Sequence, residues 1–229
     1  MRPLDAILFD MGGTLDGRGG WRDRFERLFV DVGLDHFTRA ERKAAFDYAG
    51  ARSQTEGEMA SACLRLMVTR HVDWQLEHLA VRDAAVADAL VDRFVATVES
   101  VAAIHRQVLA AFVERGWRIG VVSNACGNCA ALCDELGYTP MLSVVIDSHR
   151  VGVSKPDPGI FLHALNALKV APERAAMVGD SCDHDIVPAR ALGLFTVWVS
   201  DARPAPAANV TIARLDDLPA LMLGELRPA

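Results

Sequence analysis

Ala6-Ile7-Leu8-Phe9-Asp10-Met11-Gly12-Gly13-Thr14-Leu15 is the stretch on which the fold turns. Four consecutive apolar residues closed by a carboxylate read as a short strand buried on both faces, the habit of a parallel sheet. The same device recurs along the chain. Apolar runs at 119–122, 144–146 and 177–178 end at Ser123, Asp147 and Gly179, and a fifth run covers 195–199. Between them, 108–114, 128–136, 158–168 and 185–192 carry apolar residues at helical spacing, and Gly116, Gly137 and Gly193 supply stop signals. Strands alternating with helices predict an α/β fold built on a doubly wound parallel sheet.

One segment breaks the alternation. Residues 20–99 are rich in Ala, Arg, Asp, Glu and Leu, contain no strand pattern, and read as an all-helical insertion after the first strand. The expected partition is a core of residues 1–17 and 100–229 and a helical unit of residues 18–99. Its hinges would lie at Gly17-Arg18-Gly19-Gly20 and around Ser100. From Pro204 the chain is rich in Pro and Ala, then closes with a short helix near 215–223.

Composition narrows the function. The 229 residues are 51% hydrophobic, enough for a sizeable core, which excludes wholesale disorder. The net charge of −6 argues against a nucleic-acid partner held by non-specific charge. No apolar run reaches membrane-spanning length and no secretory signal is evident at the start, so no membrane partner is expected. Five cysteines, an odd number, make no disulfide framework, and a reducing cytoplasm is the expected compartment. Only Lys43, Lys155 and Lys169 are lysines.

In an open parallel sheet, ligands bind beyond the carboxyl ends of the strands. Those ends carry Asp10, Ser123-Asn124 and Asp180, with Lys155 in a nearby loop. Two carboxylates offer hard oxygen ligands to Mg²⁺. A hydroxyl, an ammonium and turn amides suit a phosphoryl group, and a carboxylate can attack one covalently.

These residues also match a family. Asp10-Met11-Gly12-Gly13-Thr14-Leu15, Val121-Val122-Ser123-Asn124, Lys155-Pro156-Asp157-Pro158 with Ile160-Phe161, and Val178-Gly179-Asp180-Ser181 with Asp185-Ile186 resemble, in order, the four motifs of the haloacid dehalogenase superfamily. The resemblance implies a Rossmann-like core with a helical cap, and a Mg²⁺-dependent hydrolase acting on a small phosphorylated molecule. It implies that Asp10 is a nucleophile forming an aspartyl-phosphate, Ser123 binds a phosphoryl oxygen, and Lys155 neutralises charge. Asn124 joins Ser123 and Lys155 as a candidate for substrate binding. Asp10, Asp180 and the Gly12 carbonyl would hold the metal, with Asp185 behind them orienting Lys155 or a metal-bound water.

The chain departs from the family's phosphatases at Gly12. They carry there a second Asp that moves protons to and from the leaving group, help worth about 10²–10⁴-fold in rate. Several substitutes stay open. Asp16 is one candidate to supply the proton, against its reading as a solvated turn residue. Phosphonate hydrolysis would need a cap lysine, and Lys43 is the only one there. Haloacid dehalogenation also lacks the second Asp but needs no metal. A non-catalytic binding protein is the remaining alternative.

Other residues read more plainly as structure. Cys126, Cys129 and Cys133 share a helical face and read as packing on the sheet rather than a zinc or redox site. Cys182 reads as a spacer and His184 as a solvent-facing loop residue. Trp21, Phe25, Leu28 and Phe29 form a core stripe of a helix, with Trp21 near enough to the hinge glycines to touch substrate. Arg22, Arg24, Arg52 and Arg65 read as solvated helix faces, with contact to a substrate anion as the alternative. His71 and His78 share a helical face without a third ligand.

Overall fold

The structure, a computed structural model, describes residues 4–201 and 207–225. Residues 204–206, the start of the Pro- and Ala-rich tail, lie outside them. In chain order the elements are β1 (Ala6–Phe9), α1 (Trp21–Asp31), α2 (Arg39–Thr55), α3 (Leu64–His78), α4 (Ala84–Val113), β2 (Arg118–Ser123), α5 (Cys129–Glu135), β3 (Val144–Asp147), α6 (Ser148–Val151), α7 (Gly159–Leu168), β4 (Ala175–Gly179), α8 (Val187–Ala191), β5 (Phe195–Val199), β6 (Val210–Ile212) and α9 (Leu218–Glu225). The six strands form one sheet in the order β3-β2-β1-β4-β5-β6, every pair parallel. This is the doubly wound, Rossmann-like sheet. The short edge strand β6 is an addition to the five strands expected. The chain leaves β1 to one side for β2 and β3 and returns on the other for β4 to β6, so β1 marks the topological switch point where such sheets bind ligands.

All four residues of β1 are buried, and apolar side chains from the helices cover both faces of the sheet. Every regular element between β1 and β2 is a helix, joined by short turns. Helix α2 opens with a capping box in which Thr38 and Glu41 satisfy each other's backbone donors. Asp83 caps α4 by accepting from the amides of Ala85 and Val86. The hinge expected around Ser100 falls inside α4, which runs unbroken for 30 residues. The physical reason is plain: residues 84–113 contain neither Gly nor Pro, and one apolar stripe continues from Leu90, Phe94 and Val98 to Val108, Leu109 and Phe112. Among the described residues, no helix is long and apolar enough to cross a membrane.

Candidate active site

Register brings the polar residues together. Phe9 of β1 lies opposite Val121 of β2 and Val178 of β4, so Asp10, Ser123 and Asp180 emerge side by side from three adjacent strands. Asp10 is 6% exposed, and Lys155 inserts between it and Asp185, with Nζ 2.5 Å from Asp10 Oδ1 and 2.7 Å from Asp185 Oδ1. Carboxylate oxygens of Asp10, Asp180 and Asp185 all lie within 4.8 Å of one another. Two glycines make this approach possible. A Cβ on Gly13, whose φ is +87°, would sit 2.1 Å from Asp180 Oδ2, and one on Gly179 would sit 2.4 Å from Asp185 Oδ2.

Three carboxylates share one ammonium in this cluster. Burial, reinforced by Asp185 and Asp180, drives the Asp10 carboxyl well above the usual carboxylate range despite the pull of Lys155. Burial, with Asp185 and Asp16 behind it, pushes Asp180 up to about 7. Burial works against the charge on Lys155, but Asp10 and Asp185 outweigh it and raise its pKa. The cluster therefore holds protons tightly and calls for further positive charge. That is the environment a divalent cation relieves, and the oxygen-only donor set suits Mg²⁺.

The surrounding backbone fixes these side chains. Asn124 turns its side-chain amide to Lys155, donating from Nδ2 to its carbonyl at 2.9 Å and accepting its N–H on Oδ1 at 2.8 Å. Both ends of the candidate substrate-binding amide are thus engaged in positioning Lys155. Asp185 also accepts the Ser181 amide at 3.0 Å, and Trp198 Nε1 donates to the Asp180 carbonyl at 2.8 Å. Ser123 is 6% exposed and lines a cavity together with Gly12.

Asp16 is not a solvated turn residue. It is 4% exposed, its Oδ1 accepts the Gly13 amide at 2.7 Å and lies 2.8 Å from Arg24 Nη2, and its Oδ2 accepts from Trp21 Nε1 at 2.5 Å. Arg24, read from its helix face as solvated, is correspondingly buried. Arg52 pairs with Glu56 and Glu77, Arg65 pairs with Asp92, and Arg22 stays exposed. Lys43 is exposed and paired with Asp47 one turn on, and it does not line the cavity beside Gly12. His184 bonds Ser181 on the surface, outside the carboxylate cluster. Cys126 precedes α5 rather than lying on it. Cys126, Cys129 and Cys133 are all buried free thiols, and Cys182 is half-buried.

Several contributors carried no signal in the sequence. Asp147 accepts the amides of Gly127, Cys129 and His149 and so shapes the loop after Ser123. Tyr138 donates its hydroxyl to the Leu15 carbonyl at 2.8 Å, and the His105 ring meets the same oxygen at 2.8 Å, anchoring the turn after Asp10. The apolar run ending in Asp147 was visible; its capping role depends on a loop conformation that composition does not encode.

The comparisons agree with this geometry. The family described as haloacid dehalogenase-like hydrolase matches residues 4–193. A phosphoserine phosphatase from Thermus thermophilus is 42% identical over 90 residues, which are 39% of this chain and 36% of that protein. A ribulose-1,5-bisphosphate 5-phosphatase from Halopiger xanaduensis is 29% identical over 217 residues, covering 89% of this chain and 88% of that one. The chain spans only about two fifths of the length of most of the curated relatives it matches. The crystal structure of an HAD phosphatase from Thermococcus onnurineus shares the fold at a TM-score of 0.57 and 20% identity, over 97% of this chain and 100% of that one. Strand-end motifs, sheet order and the match across residues 4–193 together place the chain in the haloacid dehalogenase-like hydrolase family.

Proposed function

We propose that the protein is a Mg²⁺-dependent phosphatase that hydrolyses a small phosphate monoester through a phosphorylated Asp10. The observation that carries this reading is the cluster itself: Asp10, Asp180 and Asp185 within 4.8 Å, with Lys155 inserted among them. The relatives named as phosphatases support the substrate class. Asp10, Asp180 and the Gly12 carbonyl would hold the metal. When bound, it supplies positive charge that neutralises phosphoryl oxygens and the cluster.

Asp10 attacks phosphorus, the bond to the leaving oxygen breaks, and water then cleaves the acyl-phosphate to restore the carboxylate. Lys155 keeps Asp10 aimed and offsets charge on the phosphoryl group. Ser123 donates its hydroxyl to a phosphoryl oxygen. Asp185 and Asn124 hold Lys155 in place from either side. The helices of residues 18–99 act as the cap that shields the site and selects substrate. With glycine at position 12 and Asp16 bound by Arg24, turnover favours leaving groups that depart without a proton.

Release of phosphate from a nitrophenyl phosphate, with Mg²⁺ and with a chelator, tests the proposal. Activity should require the metal and vanish in Asp10→Asn. Full activity in that variant, or indifference to chelation, would refute it, as would absent turnover together with absent Mg²⁺ binding by calorimetry.

A further inference from the structure

A cavity of about 210 Å³ lies beside Gly12 and Ser123, between the strand ends and helices α1 to α3. By comparison, apolar cavities of about 150 Å³ take up benzene. Trp21, Phe46, Met67, Cys126 and Leu132 supply much of its wall. Among the described residues, no Lys or Arg lines it, and its one carboxylate, Asp16, is bound by Arg24. His71 adds no charge to it. Burial lowers its pKa to about 4, Gln75 lies 2.9 Å from its Nδ1, and its ring stacks on Phe25 at 5.4 Å between centroids.

Position 12 faces this space: a Cβ built on Gly12 meets nothing closer than Trp21 Cδ1 at 4.0 Å. A phosphoryl group held by Ser123 beside Asp10 would therefore turn its ester substituent into the cavity. We infer that the cavity receives the uncharged, largely apolar body of a phosphate monoester, a small aryl group bearing no carboxylate or second phosphate. The inference rests on the phosphatase reading and names its substrate class. A second anion entering there would lose its water and meet no counter-ion, while three carboxylates stand nearby. Arg18 and Arg27 line a separate groove with Asp180 and Asp201, and Arg18 is paired with Asp201.

A matched pair of substrates tests it: 3-(methoxycarbonyl)phenyl phosphate and 3-carboxyphenyl phosphate, which differ chiefly in one charge. With Mg²⁺, kcat/KM should favour the neutral ester by about tenfold or more, the effect of one poorly compensated charge. Gln54→Arg, an exposed change at the cavity wall, should shift that ratio toward the carboxylate by a similar factor. Equal turnover of both esters would overturn the inference and leave the phosphatase reading standing. So would a preference for the carboxylate that disappears in Arg27→Ala, which would place the substituent in the other groove. The corresponding neutral and carboxylated benzylphosphonates, compared by calorimetry, read the same preference without turnover. If neither ester is hydrolysed but the neutral phosphonate binds about tenfold tighter, the phosphatase reading fails and the cavity assignment survives. Equal binding, or none, refutes the assignment.

Discussion

Gly12→Asp should raise phosphatase turnover, and the gain should depend on the leaving group. Position 12 has φ −76° and ψ 114°, an ordinary extended conformation, and its nearest neighbour to a new Cβ is 4.0 Å away. The backbone therefore accepts the side chain without strain. Restricting the unfolded chain gains about 0.4–1 kcal/mol, which offsets part of the repulsion from a fourth nearby carboxylate. That repulsion, with burial, raises the new carboxyl's pKa and so favours its acid form. A positioned acid contributes about 10²–10⁴-fold, or about 2.7–5.5 kcal/mol of barrier. An alkyl phosphate, whose alkoxide must be protonated as it leaves, should show that gain in kcat. A nitrophenyl phosphate should gain less than about tenfold, because its phenolate departs unaided. Steady-state kinetics on both substrates, with Mg²⁺ binding measured in parallel, decides the matter. An intact Mg²⁺ site with no gain on the alkyl ester, or with equal gains on both, would refute the claim that a proton donor is what position 12 lacks.

Asn124→Ala removes two hydrogen bonds to the Lys155 backbone, worth about 1–3 kcal/mol together, so kcat should fall about 5- to 160-fold while Mg²⁺ affinity holds. An unchanged kcat would mean that the ion pairs alone position Lys155. Asp16→Asn strands the buried Arg24 charge and should cost about 3–5 kcal/mol in thermal unfolding, with the pH profile of residual activity unmoved. A fully stable variant that loses one limb of that profile would assign proton transfer to Asp16. Asp180 titrates near 7 in the metal-free fold against 3.8 as an unhindered carboxyl. A raised folded pKa gives stability that is complete below the unfolded value and lost as pH rises toward 7. Unfolding temperatures without metal should therefore drop between about pH 4 and 7, and Mg²⁺ affinity should weaken as pH falls below about 7. The stability trend should shrink in Asp180→Asn, the remainder belonging to Asp10, whose carboxyl is raised as well, and a trend of undiminished size there belongs to another group.

The sheet and its polar rim were legible because each depends on local pattern. Short apolar runs closed by Asp10, Ser123 or Gly179 specify buried strands and place their ends at one edge, whatever the details of packing. Lys155 stood out by scarcity, as one of three lysines in the chain. The hinge expected near Ser100 failed for an opposite reason: a change of composition suggested a boundary, while the uninterrupted helical stripe across residues 84–113 decided the backbone.

Asp16 and Arg24 show what pattern cannot convey. Arg24 sits among Arg22, Asp23, Glu26 and Arg27, and a helix face so charged reads as solvated. Its burial follows only once the turn after Asp10 folds back and presents the Asp16 carboxylate and carbonyl to it, at 2.8 and 2.9 Å. The guanidinium also covers the Phe94 ring at 4.6 Å, so one side chain from α1 ties the turn to α4. Trp21, one turn earlier on α1, repeats the tie through its bond to Asp16. The first helix of the insertion is thereby fastened to the loop that aims Asp10, and a substitution at either residue must be felt at the nucleophile. Asp16 thus has a structural task that makes it a poor replacement for the missing acid: its two oxygens are already taken by an arginine, an indole and an amide, and freeing either would undo the tie between the turn and α1.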